Sequence, residues 1–332
     1  MPRPLRIIVP NFYFEDSFVD NVVHALREMG HEVRTAPRRS TQRSLSPVRI
    51  ATGFAIQKLF PDRLPPAEKW LLKEIKTYRA DVLLALTQQF SEETLREVRR
   101  SGVGVRVAWW GDTPANMRRM GLLTPEWDAI FLKDPDGVKK FRRVGLNAHL
   151  LHEAMNPAWH RPVAKSRNPS VAIVGNFYGF RQYLAARLLD DGFPLAMYGP
   201  PVSRWCHPEI RRLHTGRYIV REEKSRVFGE SVASLNSTDL SEGNSLNCRA
   251  FEIAGAGGLQ LIERRTIIEE CFVPGKELLV FDSYEELAEH VRWAERFPGE
   301  ADRIREAAAR RALAEHTYQH RIRRILEECG LP

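Results

Sequence analysis

Short apolar runs alternate with amphipathic stretches along most of the chain. Residues 5–9 read as a buried strand, and 18–29 set Phe18, Val22, Ala25, Leu26 and Met29 at helical spacing before the stop at Gly30. His31-Glu32-Val33 opens the next strand. The pattern then predicts a helix over 65–78, a strand over 80–86, a capped helix over 91–102 and strands over 103–110, 129–132 and 148–151. Residues 38–64 are less regular and predict a loop with a short helix. A second series follows a polar joint at 156–169. Its strands are expected at 171–174, 194–198, 218–220, 233–236, 259–262 and 278–281, and its helices at 181–190, 284–297, 302–315 and 317–329. This rhythm predicts an α/β chain of two Rossmann-like halves, each a parallel sheet with helices on both faces. Ligands of such halves are expected in a cleft between facing carboxyl ends of strands.

Composition agrees with two cores. The chain has 332 residues and is 43% hydrophobic, enough for two domains. No run approaches eighteen apolar residues. The first ten residues are too short in apolar content for a signal segment and read as the opening strand of a cytoplasmic protein. Cys206, Cys248, Cys271 and Cys329 are dispersed without a CxxC pair, which argues for reduced thiols. A net charge of +8 favours an anionic partner: a sugar nucleotide, an acidic glycan, an anionic lipid or a nucleic acid. No aromatic RNA-binding pattern, zinc finger or recognition helix accompanies the charge, so nucleic acid is disfavoured.

The densest chemistry lies in Asn247-Cys248-Arg249-Ala250-Phe251-Glu252-Ile253-Ala254-Gly255-Ala256-Gly257-Gly258. An amide and a guanidinium precede a short apolar helix face that carries a carboxylate, and a glycine pair closes the helix. Backbone N–H groups at a helix start suit a phosphate, a nearby Arg can fork onto its oxygens, and a carboxylate one turn on can accept a ribose diol. An ordinary buried αβ unit, with Glu252 in a salt bridge, fits the same residues.

Other templates fail. Gly102-Val103-Gly104 precedes a strand where a dinucleotide fingerprint must follow one. Gly275-Lys276-Glu277 lacks the loop and hydroxyl of a P-loop. His316 and His320, four apart, lack the Glu of a metalloprotease helix, and His207 with His214 lack a third ligand, so no metal site is expected. A GxSxG elbow is missing too.

The surviving pieces come in a particular order. Trp109-Trp110-Gly111-Asp112-Thr113-Pro114 and Lys133-Asp134-Pro135-Asp136-Gly137 lie in the first half. Val174-Gly175-Asn176-Phe177-Tyr178-Gly179-Phe180-Arg181, Leu235-Asn236, the Asn247 to Glu252 run, residues 272–277 and His316-Thr317-Tyr318-Gln319-His320-Arg321 follow in the second. From about residue 103 to 324 this resembles the CgeB-like (spore-maturation protein type) glycosyltransferases, whose C-terminal half belongs to the group-1 glycosyltransferase set. The resemblance implies a GT-B fold with an acceptor domain over 1–160, a nucleotide-sugar donor domain over 161–315, and a C-terminal helix over 316–332 returning to the first domain. It implies transfer of a sugar from a nucleoside-diphosphate donor to a hydroxyl of a glycan, lipid-linked or protein acceptor, with no metal or other cofactor, and a cytoplasmic location that extends to an anionic membrane face. An epimerase or a non-catalytic sugar-nucleotide sensor on the same fold are the other readings.

The resemblance also implies site residues. Glu252 would accept the ribose hydroxyls, Arg249 and Asn247 would hold the diphosphate, and Gly175, Asn176 and Arg181 would border it at the first turn of the donor domain. Group-1 enzymes often carry two glutamates eight apart; here Glu242 and Glu252 are ten apart, so Glu242 is given no such role. In the acceptor domain Asp112 is the candidate catalytic residue, as base, sugar-hydroxyl binder or cap of the turn before Thr113-Pro114. Asn11, Phe12 and Tyr13, with Phe14, are expected to border the cleft.

Overall fold

A computed structural model describes residues 3–40, 47–60, 63–112, 117, 120–163 and 166–332. The chain divides into two compact units, residues 1–152 with 318–332, and residues 153–317. Among the described residues the first unit is built on β1 (Arg6–Val9), α1 (Phe18–Glu28), β2 (Glu32–Thr35), α2 (Pro47–Leu59), α3 (Pro66–Glu74), β3 (Val82–Leu86), α4 (Glu92–Arg100), β4 (Val105–Trp110), β5 (Ala129–Leu132), α5 (Pro135–Arg143) and β6 (Ala148–Leu150). Its strands pair in the order β2-β1-β3-β4-β5-β6, all parallel. Every residue of β3 is buried, as expected for a sheet with helices on both faces. Ile8, Leu83, Ala85, Ala108, Trp110 and Ile130 share one core. Helices α4 and α5 start on side-chain caps: Ser91 accepts from the Thr94 N–H, and Asp134 from those of Asp136 and Gly137.

The second unit runs β7 (Asn168–Val174), α6 (Gly179–Asp190), β8 (Leu195–Tyr198), α7 (Pro208–Leu213), α8 (Arg221–Glu230), β9 (Ser231–Asn236), α9 (Cys248–Gly255), β10 (Gln260–Glu263), α10 (Ile268–Cys271), β11 (Leu279–Phe281), α11 (Tyr284–Arg296) and α12 (Pro298–Glu315). Its order is β11-β10-β9-β7-β8, again parallel. Numbered within each unit, both sheets place the second strand outside the first and the third on its other flank. The switch points therefore lie between β1 and β3 and between β7 and β9. The last helix, α13 (Tyr318–Glu328), belongs to the first unit. It packs along α1, with Tyr318 6.1 Å from Phe18 and 6.2 Å from Trp109, ring centre to ring centre.

Two expectations change. Residues 218–220 form no strand: the bonds to β8 are made earlier, by Thr215 N–H to Met197 O and Gly199 N–H to Arg217 O. The chain then turns through Arg221, at φ +51°, into α8. The irregular stretch 38–64 contains the thirteen-residue α2 in place of a short helix.

Candidate functional site

The switch point of the second sheet is built around Gly175, directly after β7. Its φ of +122° is open to glycine and strained for other residues. A Cβ there would sit 3.0 Å from Arg249 Nη2 and 3.4 Å from Arg181 Nη1. Gly199, after β8, is as tightly placed: its Cβ would fall 2.2 Å from Gly175 O. Two strand ends thus approach backbone to backbone, and two guanidinium groups converge on the gap.

Arg181 rises from the first turn of α6 and is buried. Its Nε donates to Ser237 Oγ at 3.2 Å, and its terminal nitrogens donate to the carbonyls of Asn176 and Ser237. These bonds tie the turn after β7 to the turn after β9. Burial first, and the charge of Arg249 second, lower its pKa to about 10, so the side chain stays cationic at neutral pH. The Arg249 charge opposes that of Arg181 across the Gly175 gap. Asn176 is exposed and donates from Nδ2 to the Tyr178 hydroxyl at 3.2 Å.

Helix α9 supplies the other half. Asn247 caps it, Oδ1 accepting from the Ala250 N–H at 3.2 Å. The Asn247 and Asn236 amides also exchange hydrogen bonds at 3.1 and 3.2 Å, and Asn236 Nδ2 donates to Gln260 Oε1 at 3.1 Å. Both polar atoms of the Asn247 side chain are thus engaged within the protein. The Cys248 N–H, at the start of α9, donates to the Glu153 carboxylate at 3.0 Å. Burial, and then the Glu153 and Glu252 carboxylates, push the Cys248 thiol well above its ordinary range, so it is no thiolate nucleophile.

Glu252 lies on the next turn, buried. Lys224 Nζ donates to its Oε1 at 2.8 Å, Arg249 Nη1 lies 3.4 Å from Oε2, and His160 Nε2 is 3.7 Å from Oε1. The carboxylate is therefore held among cations and a histidine, with Arg249 standing between it and the Gly175 gap. Lys224, Glu153 and His160 join the site without a motif that marks them. Asn244, eight residues before Glu252, ties its own loop instead: Nδ2 donates to Thr266 Oγ1 at 2.7 Å and Oδ1 accepts from the Ile267 N–H at 3.1 Å. Glu242 accepts from Ser245 Oγ at 2.6 Å. Arg265 Nη1 fixes the same loop through the carbonyls of Glu242, Gly243 and Ser245.

In the first unit, Asn11 follows β1 and is buried. Its Nδ2 donates to Leu86 O at 2.6 Å and its Oδ1 accepts from the Leu86 N–H at 3.2 Å, so the amide extends the β1–β3 ladder. Phe12 packs beneath the Arg39 guanidinium, 3.8 Å from its ring centre, and Tyr13 is buried beside Arg38 in an isolated bridge. Asp112 is half-buried just beyond β4, after Gly111, whose N–H donates to Thr87 Oγ1 at 3.1 Å. Its expected neighbours Thr113 and Pro114 lie outside the described residues.

Residues 180–327 match the family described as glycosyl transferase-like. Among curated proteins no sequence matches. Solved structures that resemble the chain include a sucrose-phosphate synthase from Thermosynechococcus elongatus, at TM-score 0.67 and 12% identity, over 98% of each chain. Anabaena HepE in complex with UDP-glucose matches at TM-score 0.61 and 9% identity, over 98% of this chain and 99% of that one. AviGT4, a glycosyltransferase of avilamycin A biosynthesis, matches at TM-score 0.60 and 15% identity, over 98% and 97%. The two parallel α/β units are those of the GT-B glycosyltransferases, and the glycosyl transferase-like domain over 180–327 marks the chain as a transferase.

Proposed function

We propose that the protein moves a sugar from a nucleoside-diphosphate donor to an acceptor hydroxyl without a metal ion, and that it is of the CgeB-like type. The observation that carries this reading is the convergence of Arg181 and Arg249 on Gly175 at the β7/β9 switch point. A buried Arg181 and a partly exposed Arg249 that repel each other are relieved by a dianion, and a diphosphate is the anion a glycosyl donor brings. In transfer, the bond from the anomeric carbon to the donor phosphate breaks, the acceptor oxygen bonds that carbon, and the diphosphate leaves with the electron pair. The guanidinium groups meet the charge that develops on it.

Glu252, aligned by Lys224, accepts the ribose hydroxyls in this reading. Asp112 serves the acceptor, taking its proton or orienting a hydroxyl. Asn247 contributes by capping α9, the helix that carries Arg249 and Glu252. The acceptor is a glycan, a protein or a lipid-linked hydroxyl, and attraction to an anionic membrane face goes with the last. HepE, solved in complex with UDP-glucose, makes UDP-glucose the first donor to test.

The test is a thermal-shift series with nucleoside diphosphates and their sugars. A diphosphate at ten times its dissociation constant stabilises by roughly 1.4 kcal/mol, and a clear rise in Tm is expected for at least one base. No rise with any of them would overturn the donor site. Product analysis with donor alone separates transfer from its rivals, since an epimerase changes the sugar and a sensor leaves it intact.

A further inference from the structure

Helix α2 has an apolar face turned to solvent. Val48, Ala51, Ala55, Ile56 and Leu59 fall at the i, i+3, i+7, i+8 and i+11 positions of one helical stripe, and Phe60 follows directly. All are exposed, Val48 and Leu59 at 72% and Phe60 at 58%. Such a stripe ordinarily faces a core. Beside it lies a hollow of about 380 Å³, lined by Gly53, Ile56, Leu64 and Pro65 together with Arg63 and Lys69.

The charge of this region is one-sided. Residues 36–69 contain seven basic side chains, Arg38, Arg39, Arg43, Arg49, Lys58, Arg63 and Lys69, against two acids, Asp62 and the buried Glu68. Arg38 pairs with Glu15 at 3.2 Å, and elsewhere in the first unit Arg99 pairs with Glu126 at 3.1 Å, Arg100 with Glu97 at 3.4 Å, Lys139 with Asp136 at 3.1 Å, and Arg96 with Glu92. An exposed apolar stripe edged by positive charge fits a surface that is apolar below and anionic at its rim, which is the interface of an anionic bilayer.

We propose that α2 with Phe60, together with residues 63–69, docks the protein on an anionic phospholipid bilayer. Leu59, Ile56 and Phe60 enter the acyl boundary, while Lys58, Arg63 and Lys69 meet the headgroup phosphates. The inference builds on the lipid-linked branch of the proposed acceptor, and its test needs neither donor nor transfer.

The experiment is flotation with vesicles of phosphatidylcholine containing about 30% phosphatidylglycerol, at about 50 mM and about 500 mM salt, against phosphatidylcholine alone. The protein is expected on the anionic vesicles at low salt, and to leave them at high salt or when the anionic lipid is omitted. Ile56→Glu with Leu59→Glu, and separately Lys58→Glu with Arg63→Glu, should each weaken partitioning about tenfold or more. Lys139→Glu with Lys140→Glu should leave it unchanged. Because the altered side chains are exposed, Tm should hold, and a retained thermal shift with nucleoside diphosphate reads the donor site separately. Unchanged vesicle binding by the Ile56/Leu59 variant would overturn the proposal. So would a wild type that binds no vesicles but dimerises through the stripe, with that variant monomeric in sedimentation.

Discussion

Arg249 touches two oppositely acting neighbours, the Arg181 cation across Gly175 and the Glu252 carboxylate on its own helix. Replacing it by Ala removes a repulsion and an attraction together, while Lys224 still donates to Glu252. Arg249→Ala should therefore change unfolding free energy by less than about 1 kcal/mol yet weaken nucleoside-diphosphate binding by about 1.5–3 kcal/mol, the worth of a hydrogen bond to a charged group. Urea unfolding and calorimetric titration read the two effects, and equal nucleotide affinity in the variant would remove the diphosphate assignment. Lys224 behaves differently, because its loss leaves a buried carboxylate under-compensated. Lys224→Met should cost about 3 kcal/mol. Adding Glu252→Gln should return part of that cost, so the double variant unfolds at higher urea than the single one. A double variant less stable than the single would mean that Lys224 and Glu252 are not coupled. The sequence motif exposed Gly175, Arg181, Arg249 and Glu252, since their residue types and order are distinctive. Nothing local marks Lys224, Glu153 or His160, because each reaches the site only through the folding of its own segment.

At the scale of elements, hydrophobic periodicity revealed the strands and the helices with apolar faces. Helix α8 escaped it for a physical reason: its buried side is Lys224, Ser225, Phe228 and Gly229, so only Phe228 among them is a large apolar side chain. The helix that carries Lys224 is thus hidden from a reading based on apolar spacing. Helix α2 shows the converse, a stripe with helical spacing whose described side chains face out. Helix α9 was legible at both ends, through Asn247 and the Gly257-Gly258 stop, but the part of Asn247 in a network with Asn236 and Gln260 was not. Asn247→Ala should accordingly cost more than an ordinary cap. About 1 kcal/mol comes from the lost side-chain cap, the Ala250 N–H keeping only its 3.1 Å bond to the residue 247 carbonyl, and a further 1–2 kcal/mol from the buried Asn236 side-chain carbonyl left without its donor. Chemical unfolding monitored in the second unit tests this, and a loss of only about 1 kcal/mol would mean that the Asn236 bond adds nothing.

Across the whole molecule the same strand order is used twice, and in both units the side chains of interest gather at strand ends beside the switch point. Asn11 closes β1 onto β3 in the first unit, and Arg181 ties the turns after β7 and β9 in the second. The contrast between them bears on the reaction. The second switch point holds two guanidinium groups, and with its pKa at about 10 Arg181 keeps its charge across the neutral range. On the proposed reading these two guanidinium groups supply the positive charge that a leaving diphosphate needs, without a divalent cation. Turnover with a nucleoside-diphosphate sugar should then survive an excess of EDTA within about twofold, and added magnesium or manganese should raise it by no more than that. Arg181→Gln would break this independence more sharply than it breaks the fold, because glutamine retains a donor for the Ser237 and Asn176 carbonyls but brings no charge. If EDTA abolishes turnover and a divalent ion restores it in the wild type, the two arginines are not the counter-charge of the leaving group, and the site works by another chemistry.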